Sequence, residues 1–180
     1  MKKTPALFLD RDGVINKDLN YLYKISDFEF LDAVFDCCKY FKHRGYKIVI
    51  ITNQAGIARG YYTLEQFNKL TKWMLLQFEK NDISIDGVYF CPHHPDGLIQ
   101  EYSKKCDCRK PEPGMLLQAM QELHLDMKMS ILIGDKVSDV QAGINAGVGT
   151  NILVKTGKEL DLNKAVIADQ VVDSLVALLP

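Results

Sequence analysis

Short apolar runs rich in Val, Ile and Leu recur along the chain, and longer stretches of helical period lie between them. Runs without polar alternation mark strands buried on both faces, and their alternation with helices argues for a parallel sheet covered on both sides. The pattern predicts strands at 6–10, 47–52, 87–91, 130–134 and 150–154, with a weaker sixth near 170–172. A helix is predicted from about Asp32 to His43, stopped by Gly45. A second begins at Thr63, where Thr63-Leu64-Glu65-Gln66 fits a capping box. Its stripe of Phe67, Leu70, Trp73, Met74 and Phe78 reads as core. A third follows Pro113 over Met115 to Leu123, and a shorter one spans Ser138 to Ala146. With no repeat, low-complexity tract or linker, the expectation is one Rossmann-like α/β domain over residues 1–180. One segment breaks the rhythm. From Pro92 to Pro111 there is little hydrophobic patterning, and so long a loop inside a compact domain needs something to pin it.

Polar chemistry gathers where the predicted strands end. The first runs into Asp10-Arg11-Asp12-Gly13, and alternate residues of an extended segment point the same way, so both carboxylates can face one site. Two carboxylates that close repel unless a cation lies between them, and a hard divalent ion such as Mg²⁺ prefers oxygen ligands. The second strand ends in Thr52-Asn53-Gln54, a hydroxyl and two amides able to hold a phosphoryl oxygen. Arg109-Lys110 follows the odd loop and offers two cations to anionic oxygens. The fourth strand ends in Gly134-Asp135-Lys136, with Asp139 four residues beyond Asp135. Taken singly these are turn residues; together they line the carboxyl edge of the sheet, where open parallel sheets bind ligands.

The cysteines point to a second metal. Cys91 and His93 are separated by one residue, as are Cys106 and Cys108. Three thiolates and an imidazole fill a tetrahedral Zn²⁺ shell with no open position, which makes a structural site pinning the loop 91–108. His94 reads as a surface or substrate-side residue, and Cys37 and Cys38 as helix packing.

Composition narrows the partners. The 180 residues, 47% hydrophobic and 25% charged, are those of an ordinary globular domain. Twenty-two basic against 23 acidic residues leave no surplus positive charge for a nucleic-acid backbone. No apolar stretch approaches the roughly 18 residues of a membrane span. The basic start is followed by an apolar run, Pro5 to Leu9, too short for a signal peptide. A cytoplasmic monomer with reduced thiols is therefore expected, its five cysteines not forming disulfides.

The order Phe-Leu-Asp-Arg-Asp-Gly, Ile-Thr-Asn-Gln, Arg-Lys-Pro and Ile-Gly-Asp-Lys-x-x-Asp resembles the four motifs of the haloacid dehalogenase superfamily of phosphohydrolases. Residues 52–60, 91–95 and 106–115 are similar to its D-glycero-D-manno-heptose 1,7-bisphosphate 7-phosphatases, with histidinol-phosphate phosphatases as close relatives. The resemblance implies a phosphatase without a large cap domain, removing the 7-phosphate of a heptose bisphosphate in nucleotide-heptose biosynthesis. It makes Asp10 the nucleophile and Asp12 the general acid and base. Thr52 and Lys110 bind the transferring phosphoryl group. Mg²⁺ is held by Asp10, Asp135 and the backbone carbonyl of Asp12, and Zn²⁺ by the same four loop residues. Substrate contacts fall to Asp18, Asn20, Tyr21, Asn53, Gln54, Arg59, Arg109 and Lys136. Val14 and Ala55 depart from the family pattern, standing where many members carry Thr and Ser. A histidinol-phosphate phosphatase and a non-catalytic zinc-containing module are the rival expectations.

Overall fold

The structure is a computed structural model that describes residues 3–158 and 165–180. Six strands form one sheet: β1 (Ala6–Leu9), β2 (Lys47–Asn53), β3 (Gly87–Cys91), β4 (Ile131–Gly134), β5 (Thr150–Val154) and β6 (Gln170–Val172). Their order is β3-β2-β1-β4-β5-β6, and every pairing is parallel. The uninterrupted apolar runs have their reason here, since both faces of the central strands are covered. Leu7, Leu9, Ile48 and Ile50 face α1 (Val34–His43) and α3 (Leu64–Lys80). Ala6, Phe8, Val49 and Ile51 face α4 (Gly114–Leu123) and α5 (Val137–Ala146). A four-residue helix, α2 (Ala55–Ala58), follows β2 directly; nothing in the apolar pattern foretold it.

The element ends differ from expectation by a residue or two, for local reasons. β1 stops at Leu9 because the backbone N–H of Arg11 turns onto the Asp10 carboxylate at 2.8 Å. α1 begins at Val34, two residues late, because Ala33 takes a left-handed φ of 62° that no helix can include. The capping box of α3 is complete. Gln66 N–H donates to Thr63 Oγ1 at 3.2 Å, and Thr63 N–H donates to Gln66 Oε1 at 2.9 Å. Of the α3 stripe, Phe67, Leu70, Met74 and Phe78 are buried and Trp73 partly so.

Sheet order places the site. After β1 the chain builds outward through β2 and β3, then returns to lay β4 on the other side of β1. The carboxyl ends of β1 and β4 thus form the switch point where neighbouring connections diverge and leave a crevice. Among the described residues no helix is long and apolar enough to cross a membrane.

Candidate active site

Asp10, at the end of β1, is 5% exposed and meets the ammonium of Lys110 at 2.9 Å. Lys110 is 4% exposed and meets Asp139 at 2.8 Å as well, while its Nζ donates to the Ile51 carbonyl at 3.1 Å. Burial alone disfavours a charged ammonium, but the attraction of Asp10 and Asp139 outweighs it and raises the Lys110 pKa. The lysine is thus a fixed cation on the site floor. Its loop is held in turn by Asn53, whose amide donates to the Lys110 carbonyl and accepts from the Lys110 N–H, both at 3.1 Å.

Carboxylate oxygens of Asp10, Asp135 and Asp139 lie within 4.8 Å of one another. Burial, then the charges of Asp10 and Asp139, push the Asp135 carboxyl up to about 8. Among the described residues Asp135 Oδ2 is buried and accepts no hydrogen bond, with the Lys136 ammonium 3.3 Å away as its one ion-pair neighbour. Gly13 and Gly157 close around it: a Cβ at either would come within 2.5 and 2.0 Å of that oxygen, and Gly13 holds a φ of 91°. A buried carboxylate oxygen that accepts no hydrogen bond, beside two further carboxylates, fits a hard cation, and a buried oxygen set is what Mg²⁺ prefers. Asp139 contributes to the group but is spent on Lys110 and on capping α5, where its other oxygen accepts from Lys136 N–H at 2.9 Å.

The Asp12 carboxylate stands apart from these three. It accepts from Arg11, from Asn16 at 3.0 Å and from Gln54 at 3.2 Å. Burial works to raise its pKa, but the Arg11 guanidinium, with the Asn16 and Gln54 bonds, lowers it on balance. Buried Arg11 thus helps to hold the charge of its neighbour.

A cavity of about 490 Å³ opens above these groups, lined by Asp12, Asp18, Asn20, Tyr21, Arg109, Lys110, Lys136 and Lys158 among others. Lys136 bridges Asp135 at 3.3 Å and Asp18 at 3.5 Å. Lys158 adds a second cation near Asp18 at 3.8 Å and donates to Asn20 Oδ1. Tyr21 packs edge-on against Tyr61 at the rim. Arg109 is tied to the His93 carbonyl at 3.3 Å.

Three of the expected substrate contacts are engaged within the protein. The Asn53 amide is spent at both ends on Lys110. Gln54 lines the cavity, but its amide is committed to Thr52, Asp12 and Tyr62. Arg59 does not line it; α2 turns the side chain toward His94, with Nη2 3.2 Å from Nε2. Asp139, which the sequence places near Asp135 without a role, holds Lys110, and Lys158, which no motif marks, reaches the cavity from beyond β5.

No helix or strand interrupts the chain between β3 and α4. Besides the Lys110 contacts and the Arg59–His94 pair, the N–H groups of Leu98 and Ile99 tie the loop to the body by donating to the Ala58 carbonyl at 2.7 and 2.9 Å. Its remaining anchor is the cluster of Cys91, His93, Cys106 and Cys108. Its sulfurs are 3.1–3.5 Å apart, and His93 Nδ1 lies 3.4 Å from Cys108 and 3.7 Å from Cys91. That is too far for a disulfide at about 2.05 Å, and near the roughly 3.7 Å separating tetrahedral ligands around a metal with bonds of about 2.3 Å. Contact with Cys91 lowers the Cys108 thiol while the same contact raises Cys91, so of this pair Cys108 ionises first, and a thiolate is what a metal binds. The four residues could hold a metal ion.

Known proteins agree with this geometry. The family model described as HAD-hyrolase-like matches residues 107–178. Over 177 residues the chain is 49% identical to D-glycero-beta-D-manno-heptose-1,7-bisphosphate 7-phosphatase of Yersinia pestis, spanning 98% of this chain and 94% of that one. With the enzyme of the same name from Haemophilus influenzae the identity is 50% over 173 residues, 96% of this chain and 94% of the other. The solved D,D-heptose 1,7-bisphosphate phosphatase from B. bronchiseptica, complexed with magnesium and phosphate, superposes with a TM-score of 0.81. It shares 27% identity over 97% of this chain and 95% of its own. From the fold, the carboxylate edge and this shared sequence together, the chain belongs to the haloacid dehalogenase-like phosphatases, in the group of the D-glycero-beta-D-manno-heptose-1,7-bisphosphate 7-phosphatases.

Proposed function

We propose that the chain hydrolyses the 7-phosphate of D-glycero-D-manno-heptose 1,7-bisphosphate through an aspartyl-phosphate on Asp10, within nucleotide-heptose biosynthesis. The observation that carries this is the charge layout of one cavity: a buried cation, Lys110, beside Asp10 on the floor, and Arg109, Lys136 and Lys158 around the rim. The floor suits a phosphoryl group under attack, and the rim a second anionic group that is only being held.

In the first step an Asp10 oxygen bonds to phosphorus, the bond from phosphorus to the sugar oxygen breaks, and Asp12 gives that oxygen its proton. In the second, Asp12 takes a proton from water as the water attacks phosphorus, freeing phosphate and restoring Asp10. The Arg11, Asn16 and Gln54 contacts keep Asp12 ionised before substrate arrives; the approaching phosphate anion raises its proton affinity, so Asp12 takes up a proton from solvent before the acid step and, after the second step, returns the one it took from water as phosphate leaves. Thr52 and Lys110 hold the moving oxygens. Asp10, Asp135 and the backbone carbonyl of Asp12 would hold Mg²⁺, which supplies neutralising charge to the phosphoryl oxygens when bound. Asn53 acts by fixing Lys110, and Asp18, Asn20 and Tyr21 form the sugar-facing wall.

Arg109→Ala tests the second-anion subsite. It should lower kcat/KM for the bisphosphate about ten- to a hundredfold, the loss of one charge-assisted bond of roughly 1.5–3 kcal/mol. An aryl phosphate, having no second anion, should lose little. An equal loss on both would put Arg109 at the reacting phosphate and remove the bisphosphate argument.

The Cys91, His93, Cys106 and Cys108 group is proposed to hold structural Zn²⁺ in a cytoplasmic monomer, where free thiols persist. Protein purified without chelator should carry about one zinc per chain, and stripping it should lower the melting temperature. A zinc-free preparation of undiminished stability would refute the site.

A further inference from the structure

Behind Asp12 the side-chain amide of Gln54, 2% exposed, makes all its bonds within the protein. Its Nε2 donates to Thr52 Oγ1 at 2.7 Å and to Asp12 Oδ2 at 3.2 Å, while its Oε1 accepts from the hydroxyl of Tyr62. Elementary chemistry fixes the direction of this chain. An amide oxygen only accepts and an amide nitrogen only donates, so Tyr62 must be the donor at its far end. Were the amide reversed, its oxygen would face the Asp12 carboxylate and its nitrogen the phenol. Without the Tyr62 hydroxyl, Oε1 loses the partner that penalises such reversal.

The ring of Tyr62 is seated for this task. It is 4% exposed, stacks on Tyr23 with centroids 5.4 Å apart, and lies over Gly56. A Cβ at position 56 would approach Tyr62 Cε1 to 2.1 Å, so only glycine leaves the ring its place. Burial pushes the phenol above its ordinary pKa, against a smaller opposing pull from Arg11. The hydroxyl therefore stays protonated, as a donor must.

We propose that Tyr62 is a positioning residue for proton delivery: through Gln54 it aims the Asp12 carboxylate at the leaving oxygen. This deepens the reading of Asp12 as acid and base and rests on it. Tyr62 lines the same cavity, but its hydroxyl is bonded to Gln54 and to no group assigned to the reaction, so through that bond it must matter most where the leaving group needs a proton. A sugar alkoxide needs one, and a nitrophenolate hardly does.

The test is a double-variant cycle of Tyr62→Phe and Gln54→Met, with kcat and KM measured on a sugar bisphosphate and on p-nitrophenyl phosphate. Tyr62→Phe should cost about five- to tenfold in kcat on the sugar substrate, a single buried hydrogen bond, with KM within about twofold. On the aryl ester the loss should stay under about twofold. The double variant should be no slower than Gln54→Met alone, since both changes cut one relay. Multiplying losses, a change confined to KM, or equal losses on both substrates would each overturn the relay. Should Tyr62→Phe fold poorly, Gln54→Met alone must still show the leaving-group dependence, and its absence overturns the proposal. If the wild-type chain hydrolyses neither ester, the phosphatase reading itself fails; if it hydrolyses both and the losses multiply, only the relay fails.

Discussion

Asp10→Asn leaves a folded chain that releases no phosphate above background. Asparagine has nearly the shape of aspartate but no anionic oxygen to attack phosphorus, so the step that forms the aspartyl-phosphate is lost, a fall on the order of 10⁴-fold or more. The fold should tolerate the change. Lys110 keeps Asp139 as a counter-charge at 2.8 Å, and Asp135 loses one of the two carboxylates that repel it. Phosphate release and a thermal melt, with deamidation excluded by intact mass, check both halves. Activity retained at more than a few per cent of wild type would remove Asp10 from the nucleophile's role.

Lys110→Met should damage stability and activity together. The ammonium is the shared partner of two buried carboxylates, Asp10 and Asp139, and methionine matches its length without its charge. Removing one member of a buried ion cluster leaves uncompensated charge and costs about 3–5 kcal/mol. For a chain of this size that lowers the melting temperature by roughly 6–20 °C. The two effects are separable. Adding Asp139→Asn to Lys110→Met discharges one orphaned carboxylate and should recover part of the melting temperature, while activity stays lost because the phosphoryl oxygens still lack their cation. Recovery of activity by the double variant would show that Lys110 acts only as structural support.

Much of this was readable from the chain because the signals are local. Buried parallel strands must be apolar on both faces, so Ala6–Leu9 and Lys47–Asn53 announce themselves, and Thr63 with Gln66 marks the start of α3 without any tertiary knowledge. The carboxylates and cations at the strand ends are likewise placed together by topology alone. What was hidden depends on partners distant in sequence. Gln54 looked like a substrate-facing amide because its motif says only that it follows β2; that Tyr62 and Asp12 consume its hydrogen bonds is a consequence of packing. Arg59 was drawn to the substrate by the motif it sits in, whereas α2 swings it to His94. Lys158 reaches Asp18 and Asn20 across the cavity from the end of β5, a separation no periodicity encodes. Ala33 shortens α1 with a left-handed turn that alanine gives no reason to expect.

The central claim is that this cavity removes one particular phosphate and holds the other. Phosphorus NMR of the wild-type chain with D-glycero-D-manno-heptose 1,7-bisphosphate and Mg²⁺ reads both at once. The account predicts that the C7 phosphomonoester signal gives way to inorganic phosphate while the anomeric phosphate signal persists to the end of the reaction. Loss of the anomeric phosphate, or an inert bisphosphate beside rapid turnover of histidinol phosphate, would contradict it.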